Sequence, residues 1–423
     1  MSASAPKASD LPRPPLGERG VCAVGLLGHG TVGSAFAGLL ERRREAIRRQ
    51  LGVEVSLCGV LTRSRGSFEE IVERCDVVVE LIGGLEPARS YALRALAAGK
   101  PLITANKQLL CHHGEELFEA ARASGAQIRF EAAVGGVIPV VRVLGEALAC
   151  GEVERVHGIV NGTTNYILTE MAAGKSYAEA LASAQAAGYA EADPTDDVSG
   201  RDAAAKMAIL ARLAFGAAVD LEQVSFEGID HLTADDLTYA KELGLSLKLV
   251  GTAERLTEGI SVRVHPAFLY AGHPLASVVG PFNAVTVESQ AITEITMSGP
   301  GAGGVQTASA VLGDLISVIA APAPPPPPAQ PHRLAGEIES AFYLHVEVED
   351  RPGVLAEVAG ALGDHAVSIK SVVQRGLGER ARLVMVTHRV PSSRLRQAAA
   401  ALERLAGVRS KPRAIPVIEE EFT

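Results

Sequence analysis

Residues Val21–Leu27 form an unbroken apolar run that leads directly into Gly28-His29-Gly30-Thr31-Val32-Gly33. Such a run predicts a parallel strand buried on both faces, and a Gly-x-Gly-x-x-Gly turn between that strand and an Ala-, Leu- and Arg-rich helix leaves few folds open. The first two glycines permit a tight turn and the close approach of a pyrophosphate, and the third permits helix and strand to pack. The helix N-terminus adds attraction for phosphate charge. Gly28, Gly30, Thr31, Val32 and Gly33 are therefore read as the cradle of a dinucleotide.

The second strand, residues 53–61, would end in an acid if it held the ribose 2′-hydroxyl of NAD. The chain instead gives Thr62-Arg63-Ser64-Arg65, so Arg63 or Arg65 is placed for the 2′-phosphate of NADP; the alternative is a pair of solvated loop arginines. NADP is favoured over NAD. Further strands at 76–81 and 102–103, with a helix over 87–98 between them, complete the pattern of a Rossmann-type doubly wound sheet in an α/β chain. Its crevice would be lined by Gly83, Thr104 and Lys107, where Lys107 is either a helix-start surface lysine or a contact to cofactor or substrate.

Gly188–Lys206 begins as a polar, Pro-broken loop with Glu191, Asp193, Asp196 and Asp197, and continues as a helix with Ser199 at its N-cap. Asp202 and Lys206 share one face of that helix. A carboxylate and an ammonium so placed can bind an amino-acid ammonium group and pass a proton to a carbonyl oxygen under reduction. The same spacing also describes an exposed pair worth roughly 0.2–0.5 kcal/mol. Phe130–Pro139 passes from a strand through Gly135 and Gly136 into a helix beginning around Pro139, which reads as a hinge or as carbonyls for a monovalent cation. Ser298–Gly304 precedes a helix to about Ile319 and reads as a second cofactor contact at Gly303 or as a plain turn.

With 423 residues the chain must divide into domains. A net charge of −9 without a strong basic tract excludes nucleic acid as a natural partner, and Arg42, Arg43, Arg44, Arg48 and Arg49 read as the exposed end of one helix. Five scattered cysteines, Cys22, Cys58, Cys75, Cys111 and Cys150, lack metal-type spacing and fit a reducing compartment. No apolar stretch approaches the roughly 20 residues of a membrane span, so a cytoplasmic location is expected. Ala321–His332 is a polyproline spacer. Beyond it, residues 341–417 predict a βαββαβ order, hence an antiparallel sheet with helices on one face.

The ordered set Gly28–Gly33, Thr104–Lys107, Val134–Pro139, Asn161–Leu168 and Gly188–Lys206 strongly resembles the homoserine dehydrogenase family over about residues 20–320, and Glu349–Leu355 resembles the ACT domain. That resemblance implies reversible NAD(P)H-dependent reduction of L-aspartate 4-semialdehyde to L-homoserine in threonine, methionine and isoleucine biosynthesis. It implies Lys206 as proton donor with Asp202 as its partner, Lys107 as a second active-site lysine, and Glu191 and Asp197 as binders of the amino acid. It adds Gly162 to the cofactor contacts and a sodium ion at Glu131, Val134, Gly136 and Ile138. It also implies threonine as an effector near Asp350–Gly353 and a homodimer or homotetramer.

The domains expected are a disordered tail (1–19), an NAD(P)-binding Rossmann domain (20–136) onto which a helix at 303–320 packs back, and an α+β substrate and dimerisation domain (137–302). A Pro-rich linker (321–338) and a ferredoxin-like ACT regulatory domain (339–423) follow. Two alternatives stand beside this reading. An inactive ACT-type amino-acid sensor is opposed by the intact set Lys107, Glu191, Asp202 and Lys206. Another semialdehyde oxidoreductase, aspartate-semialdehyde dehydrogenase, needs an activated cysteine, and Cys111-His112-His113 lacks an acyl-transfer motif around it.

Overall fold

The apolar run becomes β1 (Val21–Leu27), with Val24, Leu26 and Leu27 fully buried. The structure, a computed structural model, describes residues 16–149, 151–321, 323–376 and 378–419. The first fifteen residues of the expected tail, Cys150 and Pro322 of the Pro-rich segment lie outside the described residues.

After β1 come α1 (Thr31–Leu51), β2 (Glu54–Leu61), α2 (Phe68–Arg74), β3 (Val77–Glu80), α3 (Ala88–Ala97), β4 (Leu102–Thr104), α4 (Lys107–Ser124) and β5 (Ile128–Arg129). The five strands form one parallel sheet in the order β2-β1-β3-β4-β5. The order reverses between β1 and β3, and ligands of such sheets bind outside the carboxyl ends at that point. β5 stops at Arg129, and the Phe130 segment expected to continue it makes a 3₁₀ turn at Glu131–Ala133 instead.

The chain continues with α5 (Val140–Arg142), which runs into a π-helical turn at Val143–Ala147, then β6 (Val153–Ile159), α6 (Gly162–Ala172), α7 (Tyr177–Ala186), α8 (Thr195–Val198) and α9 (Arg201–Phe215). Next come β7 (Ser225–Phe226), α10 (Ala234–Glu242), β8 (Leu245–Leu256), β9 (Gly259–Tyr270), β10 (Phe282–Ser289), β11 (Thr293–Pro300) and α11 (Gly304–Ala320). The last region holds β12 (Glu339–Glu349), α12 (Val354–Asp364), β13 (Ile369–Gly376), β14 (Arg380–Thr387), β15 (Val390–Pro391), α13 (Ser392–Glu403) and β16 (Arg413–Ile418).

Two compact units result. The first takes the chain up to Val141 together with Ala302–Ala329, and the second takes Arg142–Gly301 and the chain from Gln330 onward. In the first, α1 lays Phe36, Leu40 and Ile47 on the parallel sheet, and α11 returns Val311, Leu315, Val318 and Ile319 to the same core. α1 ends because Gly52, at φ 72°, takes the left-handed conformation and closes on the Arg48 carbonyl.

The Pro-rich segment is more than a spacer. Arg122 donates to the Pro326 carbonyl (2.7 Å), and the Ala323 and Ala329 amides donate to Gln127 and Glu115, tying the segment to the first unit. The Gln330 amide then bonds the Gly216 carbonyl in the second unit (2.8 Å).

In the second unit eleven strands join one sheet, with the main path β11-β10-β6-β8-β9-β16-β12-β14-β13. The C-terminal βαββαβ region packs α12 and α13 on its strands through Val358, Leu362, Leu395, Ala398 and Leu402. Its final strand, read from sequence as 408–417, runs Arg413–Ile418 and pairs in parallel with β9 through Val417–Phe268 and Ile418–Leu269. α10 is held to this region by a buried carboxylate: Asp236 caps its own helix through Thr233 and accepts from Arg413 at 2.7 Å. Among the described residues, no helix is long and apolar enough to cross a membrane.

Removing Asp236 would leave the Arg413 guanidinium and the α10 cap without their acceptor. Asp236→Ala is expected to cost about 2–4 kcal/mol and to lower the melting temperature by several degrees. Differential scanning calorimetry checks this, and a melting curve superimposable on wild type would contradict it.

Candidate active site

α9 is Ala-rich and almost wholly buried, so its two ionised groups are answered by protein rather than water. Lys206 Nζ donates to Asp202 Oδ2 at 2.7 Å and to the Val160 carbonyl at 2.8 Å. The Lys206 side chain is 16 % exposed and that of Asp202 6 %, which removes the reading of an exposed helix pair.

The helix start differs from the sequence reading. Asp193 accepts from the Thr195 amide and hydroxyl and opens the single turn α8, whose C-terminal end takes Ser199. The chain then restarts as a helix at Arg201 with Gly200 as N-cap at φ 86°, a left-handed conformation that suits glycine.

Asn161 joins the elements. At the end of β6 it caps α6 by accepting from the Thr164 amide, and its Nδ2 donates to Asp197 at 2.7 Å and to Asp202 at 2.8 Å. Burial, and then the neighbouring Asp202 carboxylate, hold the Asp197 carboxyl above its usual range. Lys206, Asp202 and Asp197 are thus brought together. Glu191 is not drawn into this network; it stands exposed in the loop after α7, where its carbonyl accepts from Gln185.

Gly162 opens α6 so close to the next segment that a Cβ would lie 2.6 Å from the Pro281 carbonyl. Beneath it, Asn165 donates to the carbonyls of Val278, Gly280 and Phe282. The buried Lys248 donates to Asn165 and to the Val278 carbonyl, and desolvation pushes its pKa down to about 8.

In the first unit the glycine turn is close to the minimum size. A Cβ on Gly28, at φ 96°, would lie 2.4 Å from the Leu81 carbonyl, and one on Gly33 would lie 2.2 Å from the Gly28 carbonyl. Gly30 is the N-cap of α1, makes no side-chain cap, and faces open space where a Cβ would stand. The first-turn amides of α1 are therefore presented without a competing side-chain acceptor, as a pyrophosphate requires. α11 begins at the same place: a Cβ on Gly304, next to Gly303, would lie 2.9 Å from Thr31 Cγ2.

Thr104 is buried and donates to Glu80 at 2.6 Å, and Lys107 is the first residue of α4, which Asn106 caps. Gly83 and Arg63 are exposed, at the ends of β3 and β2. Of the residues read as a cation site, Glu131 accepts the Val141 amide through its carboxylate, and the carbonyls of Glu131 and Ile138 accept turn bonds from Val134 and Val140. Among the described residues, no group of three or more His, Cys, Asp or Glu side chains is arranged to hold a metal.

Sequence reasoning missed Asn161 as a bridge, Val160 as an acceptor, the roles of Glu80 and Asn106 within their segments, and the buried Lys248. The sequence signal available for Asn161 was its place before Gly162-Thr163-Thr164, a helix-capping pattern at a strand end.

A parallel sheet whose first helix opens on an uncapped glycine turn at the reversal of strand order defines a dinucleotide-binding protein, and with the lysine–carboxylate centre the class is that of the NAD(P)-dependent oxidoreductases. Comparison with known proteins narrows the class. Residues 28–131 match the family described as homoserine dehydrogenase, NAD binding domain; residues 139–316 match homoserine dehydrogenase; and residues 342–407 match the ACT domain. A homoserine dehydrogenase of Pseudomonas aeruginosa is 40 % identical over 417 residues, covering 91 % of this chain and 96 % of its own. The crystal structure of a homoserine dehydrogenase from Thiobacillus denitrificans superposes with a TM-score of 0.88 at 38 % identity, covering 94 % of this chain and 98 % of that one. A hyperthermophilic archaeal homoserine dehydrogenase in complex with NADPH superposes with a TM-score of 0.61 at 26 % identity, over 70 % of this chain and 97 % of its own. The chain belongs to the homoserine dehydrogenase family, with a C-terminal ACT domain.

The open space at Gly30 separates binding from folding. Gly30→Asp is expected to melt with wild type and to lose NAD(P)H binding, because a carboxylate would occupy the place of a phosphate. Fluorescence titration with NADPH reads the outcome, and undiminished binding would move the pyrophosphate elsewhere.

Proposed function

We propose that Lys206 is the proton donor in the reversible NAD(P)H-dependent reduction of L-aspartate 4-semialdehyde to L-homoserine. The observation that carries the proposal is the ammonium fixed between Asp202 and the Val160 carbonyl. An ammonium has three donors, and these two bonds leave one N–H for a ligand oxygen. Bound NAD(P)H supplies the hydride. As negative charge grows on the aldehyde oxygen, Lys206 gives it a proton or a hydrogen bond, and Asp202 stabilises the ammonium when it is restored.

The substrate carries an ammonium group of its own. Asp197, Asp202 and Lys206 sum to one net negative charge when all are ionised, which favours that group at Asp197. Asp197 and Glu191 are proposed as substrate contacts and Lys107 as the second active-site lysine.

The cradle of Gly28, Gly30, Thr31, Val32 and Gly33 is proposed to hold the pyrophosphate, with Gly83, Thr104, Lys107, Gly162 and Gly303 as further cofactor contacts. Arg63, exposed at the end of β2, supports a 2′-phosphate and hence NADP, as does the NADPH bound to the archaeal relative. A sodium ion would use the second lone pairs of the Glu131 and Ile138 carbonyls together with Val134 and Gly136. The ACT region supports regulation by a small molecule, with threonine as the proposed effector at the turn of Asp350–Gly353. Exposed Val279, Phe282 and Ile295 beside the edge strand β11 support self-association as a homodimer or homotetramer.

Lys206→Ala is expected to lower kcat by about two or more orders of magnitude while NADPH binding persists. Near-normal turnover in stopped-flow assays would place the proton donor elsewhere. Initial rates of the wild-type chain are expected to favour NADPH over NADH and to fall in saturating threonine. Equal kcat/KM for the two cofactors would remove Arg63 as a phosphate contact, and rates indifferent to threonine would remove the effector.

A further inference from the structure

Glu80 ends β3 at the reversal of strand order and is fully buried. Its partners in the structure are neutral donors. Oε1 accepts the Ile82 amide at 2.7 Å and the Gly83 amide at 3.3 Å, and Oε2 accepts the Thr104 hydroxyl at 2.6 Å. Thr104 Oγ1 in turn accepts the Asn106 amide at 3.0 Å, Asn106 Nδ2 donates to the Gly84 carbonyl at 2.6 Å, and Asn106 Oδ1 caps the helix that Lys107 begins. One carboxylate therefore sits at the root of the whole loop 81–84 and of the start of α4.

Burying an acid without a cation is costly, so the hydrogen bonds it gathers must serve the backbone around it. A trans peptide points its carbonyl opposite to its N–H. With the Ile82 and Gly83 amides turned in to Glu80, the Leu81 and Ile82 carbonyls are turned out. The Leu81 carbonyl accordingly lies against Gly28, at the head of the glycine turn. The Ile82 carbonyl is the next acceptor along.

The sheet order gives this acceptor an occupant. If Arg63 at the end of β2 takes the adenosine ribose and the α1 turn takes the pyrophosphate, the remaining half of the dinucleotide extends over the ends of β3 and β4. We infer that Glu80 is a positioning residue for the nicotinamide nucleoside half of the cofactor, holding loop 81–84 so that the outward Ile82 carbonyl accepts from that half. The inference rests on the reading of the glycine turn as the pyrophosphate cradle and of Gly83, Thr104 and Lys107 as cofactor contacts.

Glu80→Gln keeps the size of the side chain but leaves it a single acceptor oxygen, so the loop amides and the Thr104 hydroxyl can no longer both donate to it. The variant is expected to bind NADPH about tenfold or more weakly by fluorescence titration, and its KM for NADPH should rise with it. Its affinity for ADP, which fills only the adenosine and pyrophosphate sites, is expected to stay within about twofold of wild type, as is the KM for the semialdehyde. Equal weakening of ADP and NADPH would overturn the proposal, since a general collapse of the cradle predicts it. So would unchanged NADPH affinity in a folded variant with a lowered melting temperature, the mark of a purely structural acid. Gly30→Asp tells the two readings apart: if it binds NADPH like wild type, the cradle itself fails and the inference with it, whereas lost binding there beside normal binding in Glu80→Gln overturns the role of Glu80 alone.

Discussion

An ammonium can sit half-buried only where its charge is answered, and Asp202 answers that of Lys206 from one helical turn away. The rest of the second unit is arranged around that requirement. β6, central in the sheet between β10 and β8, ends at Ile159, and the next carbonyl, of Val160, accepts a second hydrogen bond from Lys206. The next residue, Asn161, spends one side of its amide on starting α6 and the other on two carboxylates that would otherwise repel each other. A strand end, a helix cap, a single turn and a long helix thus meet on three polar side chains, and a shift in any of them would misplace the ammonium.

The first unit solves a different problem with backbone alone. Its ligand is expected to be an anion, and the glycine turn meets that with N–H groups and with space rather than with lysines. α11 comes back from beyond residue 300 to begin beside Thr31, so the unit is complete only after the chain has built the strands β6–β11. Such a discontinuous unit has its core sealed by Val311, Leu315 and Val318, residues remote in sequence from the sheet they cover.

Local patterns were legible in the sequence, and tertiary partnerships were not. Val21–Leu27 is a strand with the expected ends because a run buried on both faces has no periodicity to blur. Asp202 and Lys206 were legible because helical spacing fixes their distance whatever surrounds them. The cap at Gly200 was missed because Ser199 looks like a better cap until Asp193 and Thr195 start a turn that uses it. Asn161 falls within a legible motif but its bridging is invisible there, since both of its carboxylate partners lie more than thirty residues away. Glu80 reads in sequence as the tail of an apolar strand, where a lone acid gives no sign of the amides that fold over it. The Pro-rich stretch read as a spacer because composition cannot reveal that Arg122 and Glu115 wait for its backbone.

The parallel pairing of Val417 and Ile418 with Phe268 and Leu269, backed by the Phe268–Tyr343 ring contact at 4.5 Å, makes the ACT strands a continuation of the sheet that holds β6–β11. A module attached in this way cannot be shed without consequence. Clipping it off would leave β9 with a raw hydrogen-bonding margin and an uncovered aromatic ring, the sort of surface on which chains stack into aggregates. The dehydrogenase and ACT regions are in this sense one woven fabric, and shortening such a chain to its dehydrogenase half would require a new selvage along β9.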